Sequence, residues 1–152
     1  MKGYRILYED GELLVLDKPA GLSVQGGKGI TISLDGLLAR DYDPRPHLVH
    51  RLDRDTSGVL LTAKTPASAA RCAAFFNRSS GGLIKRYAAV CAGILPEKGV
   101  ITGTLPVKGR RPEGRELPAR TDYTRIGLSP APGPFSLAEL VPATGRTHQI
   151  RR

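Results

Sequence analysis

Glycine and proline interrupt this chain so often that no apolar run outlasts a short strand or a few turns of helix. The fold must therefore be assembled from short pieces joined by tight turns. Residues 4–19, YRILYEDGELLVLDKP, read as two strands around Asp10-Gly11, a dipeptide suited to the positive backbone angles of a hairpin turn. AGLSVQGGKGIT then breaks regular structure. SLDGLLARDY, Ser33 to Tyr42, sets Leu34, Leu37 and Leu38 on one face of a short amphipathic helix that DPRPH ends. HLVHRL reads as a strand entering the polar turn DRDTSG, and VLLTAK as a buried strand leaving it.

Thr65-Pro66 supplies a helix cap and a proline at the first helical position, opening PASAARCAAFFNRSS. Ala69, Cys72, Ala73 and Phe76 share one face of that helix, which makes Cys72 a packing residue, and Gly81-Gly82 ends it. IKRYAAVCAGI alternates as a strand, and further strands are expected at GVITGTL, RTDYTRIGL and PFSLAELVP. PVKGRRPEGRELPAR, with Arg110, Arg111, Arg115 and Arg120, reads as an exposed basic loop able to hold phosphates. The expectation is an α+β domain spanning residues 1–152, with a mixed, mainly antiparallel sheet and short flanking helices.

Lysine and arginine total 23 against 14 acids, a formal charge of +9, which favours a polyanionic partner. Cys72 and Cys91 are too few and too far apart for a disulfide framework or a four-thiolate zinc site. No run approaches the roughly 18 apolar residues of a membrane span, and the N-terminal residues lack a signal peptide's apolar segment. These features describe a cytoplasmic protein without membrane association.

The density of charge in VHRLDRDTSG, Val49 to Gly58, exceeds what a turn between strands needs. Read as a calcium loop it fails, because Lys64 stands where the bidentate glutamate belongs. Read as a phosphate loop, GLSVQGGKGIT fails at Leu22 and Gly29. The histidines at 47, 50 and 148 are scattered, and neither a GxSxG elbow nor an HExxH helix is present. Taken alone, Asp53 reads as a turn residue that caps an amide or pairs with Arg51 or Arg54. Tyr87 alone reads as a half-buried strand tyrosine, and Arg146 and Arg151 as a solvated strand edge. The stretch TGRTHQIRR, read as a strand with Arg146, His148 and Ile150 opposite Thr147, Gln149 and Arg151, spreads donors over both faces and suggests part of a site.

With HRLDRDTSG, KRYAAV and GRTHQIR in that order after LVLDKPAGLSV, the chain closely resembles the RluA-type pseudouridine synthases over nearly its whole length. The SVQGGKG loop leans toward the branch that modifies large-subunit ribosomal RNA, while related enzymes act on transfer RNA. The resemblance implies an enzyme without cofactor or metal. In it Asp53 is the catalytic aspartate, Tyr87 stacks on the target base and Arg151 pairs with the aspartate. Arg51 matches the arginine that helps displace the base, and Arg54, Thr56, Arg146, His148 and Gln149 are expected to hold RNA. Family members continue beyond the position of Arg152, so the core is expected to be incomplete on its C-terminal side. A separate N-terminal RNA-binding domain is not expected, and the chain is expected to act as a monomer. The alternative is an inactive or truncated relative that binds RNA without isomerising it.

Overall fold

A computed structural model describes residues 3–77, 83–106, 116–129 and 133–151. The chain divides into two compact units, Met1–Arg78 and Ser79–Arg152.

The first unit is a four-stranded antiparallel sheet with two helices. Strands β1 (Arg5–Glu9) and β2 (Leu13–Lys18) form the expected hairpin. Its turn differs from expectation, since neither Asp10 nor Gly11 has positive φ. Instead the Asp10 carboxylate accepts the amides of Glu12 and Leu13, each at 2.7 Å, and these bonds hold its pKa below the usual carboxylate value.

Helix α1 (Leu34–Asp41) starts at Ser33, whose hydroxyl accepts the Gly36 amide at 3.2 Å. It buries Leu34 and Leu38 completely. Strand β3 is only His47–Leu48, shorter than HLVHRL suggested, and β4 (Gly58–Ala63) lies between β3 and β2. β4 is not buried throughout: Leu60 and Thr62 point inward, while Val59 is 62% exposed. Helix α2 (Pro66–Asn77) opens with reciprocal capping, in which the Ser68 amide donates to Thr65 Oγ1 and the Thr65 amide to Ser68 Oγ. Cys72 is buried, as its helical face required. The expected stop at Gly81-Gly82 lies outside the described residues.

Inward-facing residues of β2 and β4 oppose one another as Leu14 with Thr62, Leu16 with Leu60, and Lys18 with Gly58. Gly58 adopts φ +122, a conformation side chains disfavour, although a Cβ there would meet no neighbour within 4 Å. Gly58→Ala is expected to lower stability by about 1–3 kcal/mol through backbone strain alone. Gly11→Ala should be nearly neutral by comparison. Urea denaturation midpoints of the two variants check the contrast.

The second unit is a four-stranded antiparallel sheet in the order β5 (Tyr87–Ala92), β8 (Phe135–Pro142), β7 (Glu116–Ser129) and β6 (Lys98–Pro106). Ser136, Ala138 and Leu140 form its buried row. The buried Ser136 hydroxyl accepts the Leu95 amide and donates to the Gly93 carbonyl, each at 2.9 Å. Of the expected basic loop, Arg110, Arg111 and Arg115 lie outside the described residues. Arg120 belongs to β7 instead and donates to Asp122 at 2.8 Å. No helix among the described residues is long and apolar enough to cross a membrane.

Candidate active site

The segment from Val49 to Ser57 is an arm joining β3 to β4, and it carries Arg51, Asp53, Arg54 and Thr56. Leu52, 8% exposed, anchors it, and the adjacent Asp53 is half-buried. The Thr56 amide donates to the Asp53 carbonyl at 3.2 Å and tightens the turn. Arg51 and Arg54 are exposed.

The far end of the arm is gripped by the DKPAG segment. The Gly21 amide donates to the Arg54 carbonyl at 2.9 Å, and Arg54 Nε returns a bond to the Gly21 carbonyl at 3.1 Å. Gly21 stands at φ +83, which allows this close reciprocal approach. Beneath it lies Lys18, fully buried, whose Nζ donates to the carbonyls of Pro19 and Leu22 at 2.8 Å and of Arg54 at 3.0 Å. Three acceptors require three N–H groups, so the ammonium form fits this cage. Burial lowers the Lys18 pKa, and the negative charges of Asp55 and Asp53 act in the opposite direction.

Lys18 escaped the sequence reading, although a signal for it was present. Leu14, Leu16 and Lys18 occupy alternate positions of one strand, so a lysine had to enter the core or break the pattern. A cleft of about 630 Å³ adjoins this clasp, with Arg5, Asp17, Lys18 and Ser57 in its walls.

The second unit carries Tyr87, Arg146, His148, Gln149 and Arg151. Tyr87 opens β5, half-buried, and its register partner is Leu140 on the sheet's buried row. Arg86, one position earlier, is bound to Glu139 at 2.6 Å.

The stretch GRTHQIR is not a strand. His148 has φ 57, and Gln149–Arg151 form a 3-10 turn in which the Arg151 amide donates to the His148 carbonyl. Gln149 explains the difference, because its side-chain amide takes over the bonds a neighbouring strand would have supplied. Oε1 accepts Thr144 Oγ1 at 2.8 Å and the Arg146 amide at 3.0 Å, while Nε2 donates to the Arg120 carbonyl and Thr121 Oγ1, both at 3.0 Å. Arg146 Nε donates to the Pro118 carbonyl at 3.0 Å, so the turn is stitched to β7. A methyl group on Gly145 would lie 3.7 Å from Lys85 Nζ, which brings the KRY and GRTHQ segments together.

The chain is similar to known proteins over nearly its whole length. Residues 12–152 match the family described as RNA pseudouridylate synthase. Ribosomal large subunit pseudouridine synthase C of Escherichia coli strain K12 is 38% identical over 153 residues, covering 96% of this chain and 47% of that protein. The mitochondrial RNA pseudouridine synthase 4 of Arabidopsis thaliana is 36% identical over 176 residues, covering 96% of this chain and 36% of that protein. This chain thus spans half or less of the length of these two relatives. An uncharacterized RNA pseudouridine synthase of Zymomonas mobilis is 38% identical, with 97% of this chain and 70% of that protein covered. Among solved structures, human RNA pseudouridylate synthase domain containing 4 superposes with TM-score 0.75 at 28% identity, covering 97% of this chain and 62% of the other.

Proposed function

This chain belongs to the RNA pseudouridylate synthase family, and from that premise we propose that it isomerises uridines of RNA to pseudouridine, with ribosomal RNA of the large subunit as substrate. The observation that carries this reading is the family match over residues 12–152, which includes the whole clasped arm around Asp53. The relatives named as large-subunit ribosomal enzymes support the choice of RNA.

The chemistry explains the residue types. The bond from the sugar to the ring nitrogen breaks, the base turns, a ring carbon rejoins the sugar, and that carbon gives up its proton as the nitrogen gains one. Electrons balance without an external oxidant or reductant. Asp53 starts the sequence as a carboxylate, either by attack on the base or sugar or by taking a sugar proton to form a glycal. Tyr87 offers the face on which the displaced base stacks, and Arg151 is the aspartate's counter-charge. Extruding the base costs a few kcal/mol, which stacking and backbone contacts offset. Arg51, Arg54, Thr56, Arg146 and His148 serve RNA binding, and Gln149 serves it by holding the turn that presents its neighbours. The cytoplasm is the proposed location, where the free thiols of Cys72 and Cys91 stay reduced.

The test is to incubate the chain with unmodified ribosomal and transfer RNA pools and map pseudouridine by chemical labelling and primer extension. Product at discrete large-subunit positions is expected. A folded chain that binds RNA and yields no product would make it a binding relative instead. With about three phosphates neutralised, affinity is expected to fall about tenfold or more between 50 and 200 mM salt. Fluorescence anisotropy across that range measures it.

A further inference from the structure

β4 outruns its partner β3, which pairs only His47 with Ala63 and Leu48 with Thr62. The next outward amide of β4, that of Leu61, would lack a strand partner there. It donates instead to His50 Nε2 at 2.8 Å. The imidazole thus takes the place of a missing strand backbone, and its ring stacks on Phe76 of α2, with centroids 4.4 Å apart and planes inclined by 20°. An accepting Nε2 fixes the neutral tautomer with the proton on Nδ1. His50 stands three residues before Asp53, at the end of the arm opposite the Lys18 cage.

We infer that His50 is a positioning residue for Asp53: its neutral imidazole fastens the near end of the arm to β4, and protonation of Nε2 releases it. The inference rests on the reading of Asp53 as the reacting carboxylate. Adding a proton to Nε2 sets one N–H against another, so the Leu61 bond is lost and the near end of the arm is loosened from β4. The neighbouring elements bring few other titratable groups. β4 has none; α2 has Arg71, bound to Glu12, and the buried Cys72; β3 has His47. The arm itself has Arg51, Asp53, Arg54 and Asp55.

The experiment is nitrogen-15 NMR of the whole chain from pH 8 to pH 5, which reports imidazole tautomer and amide protection together. At pH 8, His50 is expected in the Nδ1–H form, with Leu61 exchange slowed about tenfold relative to His50→Phe, which keeps a stacking ring but no acceptor. On acidification the Leu61 protection factor falls and the Thr56 amide shifts in step with the imidazole. His50→Gln, whose amide oxygen replaces Nε2, should hold Leu61 protected and Thr56 still across the range. In single-turnover assays on substrate RNA, the wild-type rate declines on the acid side more steeply than that of His50→Gln. An Nε2–H tautomer, or Leu61 and Thr56 signals indifferent to the His50 titration, would overturn the inference in the wild-type protein alone. An unchanged acid limb in His50→Gln would overturn it as well. Product formation by Asp53→Asn would remove the catalytic assignment while leaving the tautomer result standing.

Discussion

Asp53→Asn is expected to slow pseudouridine formation about ten-thousand-fold and leave RNA affinity undiminished. Asparagine matches aspartate in shape, so Leu52 stays anchored, and the Thr56 amide still reaches the carbonyl of residue 53. What disappears is the negative charge. A carboxylate that attacks carbon or takes a proton has no substitute in a neutral amide, and losses of about this size follow from removing such a group. Binding depends mainly on phosphate contacts from cations, and removing one anion does not weaken those. Single-turnover rates on a fragment of substrate RNA, with affinities measured on the same fragment, give both numbers. A rate within tenfold of the wild type would move the chemistry to another residue.

The second large effect is structural. Lys18→Met fills nearly the same volume, so little cavity is created, but it leaves the carbonyls of Pro19 and Leu22 without the bonds that Nζ supplied. The Arg54 carbonyl retains the Gly21 amide. Buried acceptors that lose a charged donor cost about 1–3 kcal/mol each, and a net destabilisation of about 3 kcal/mol is expected. Chemical denaturation measures it. The loss should fall on the arm as well as on global stability, with faster amide exchange at Gly21 and a reduced turnover rate. A Lys18→Met protein as stable as the wild type would mean that apolar packing offsets the lost bonds, as in some replacements of buried ion pairs.

The strands and helices were legible because alternation and capping are local. Leu14 and Leu16 announce one buried face, and Ser33 and Thr65 mark helix starts at the positions they occupy. What misled was alternation without a partner strand. Arg146, His148 and Ile150 alternate with Thr147, Gln149 and Arg151, but the Gln149 amide satisfies the backbone from the side and curls the segment into a turn. β3 stops early for a related reason, since an imidazole does the work of its next residue. Such side-chain substitutes for a ladder depend on residues distant in sequence, and periodicity cannot report them. The reading of Asp53 as the reacting carboxylate rests on an ordered set of motifs, because one aspartate in a polar turn has many ordinary uses. Lys18 was legible in principle from its register, and its meaning emerged only with the carbonyls around it.

The grip of Lys18 falls on main-chain oxygens, and an oxygen of the main chain is present whatever residue bears it. The side chain at 57 can therefore be exchanged without removing any of the three atoms that the ammonium grasps. Placement of the arm and the text written on its outer surface are separable. Under the proposed function, a library randomised at Ser57, with Asp55 kept because its charge favours the buried Lys18 ammonium, offers a route to retarget the chain among RNAs while the grip on the arm stays in place.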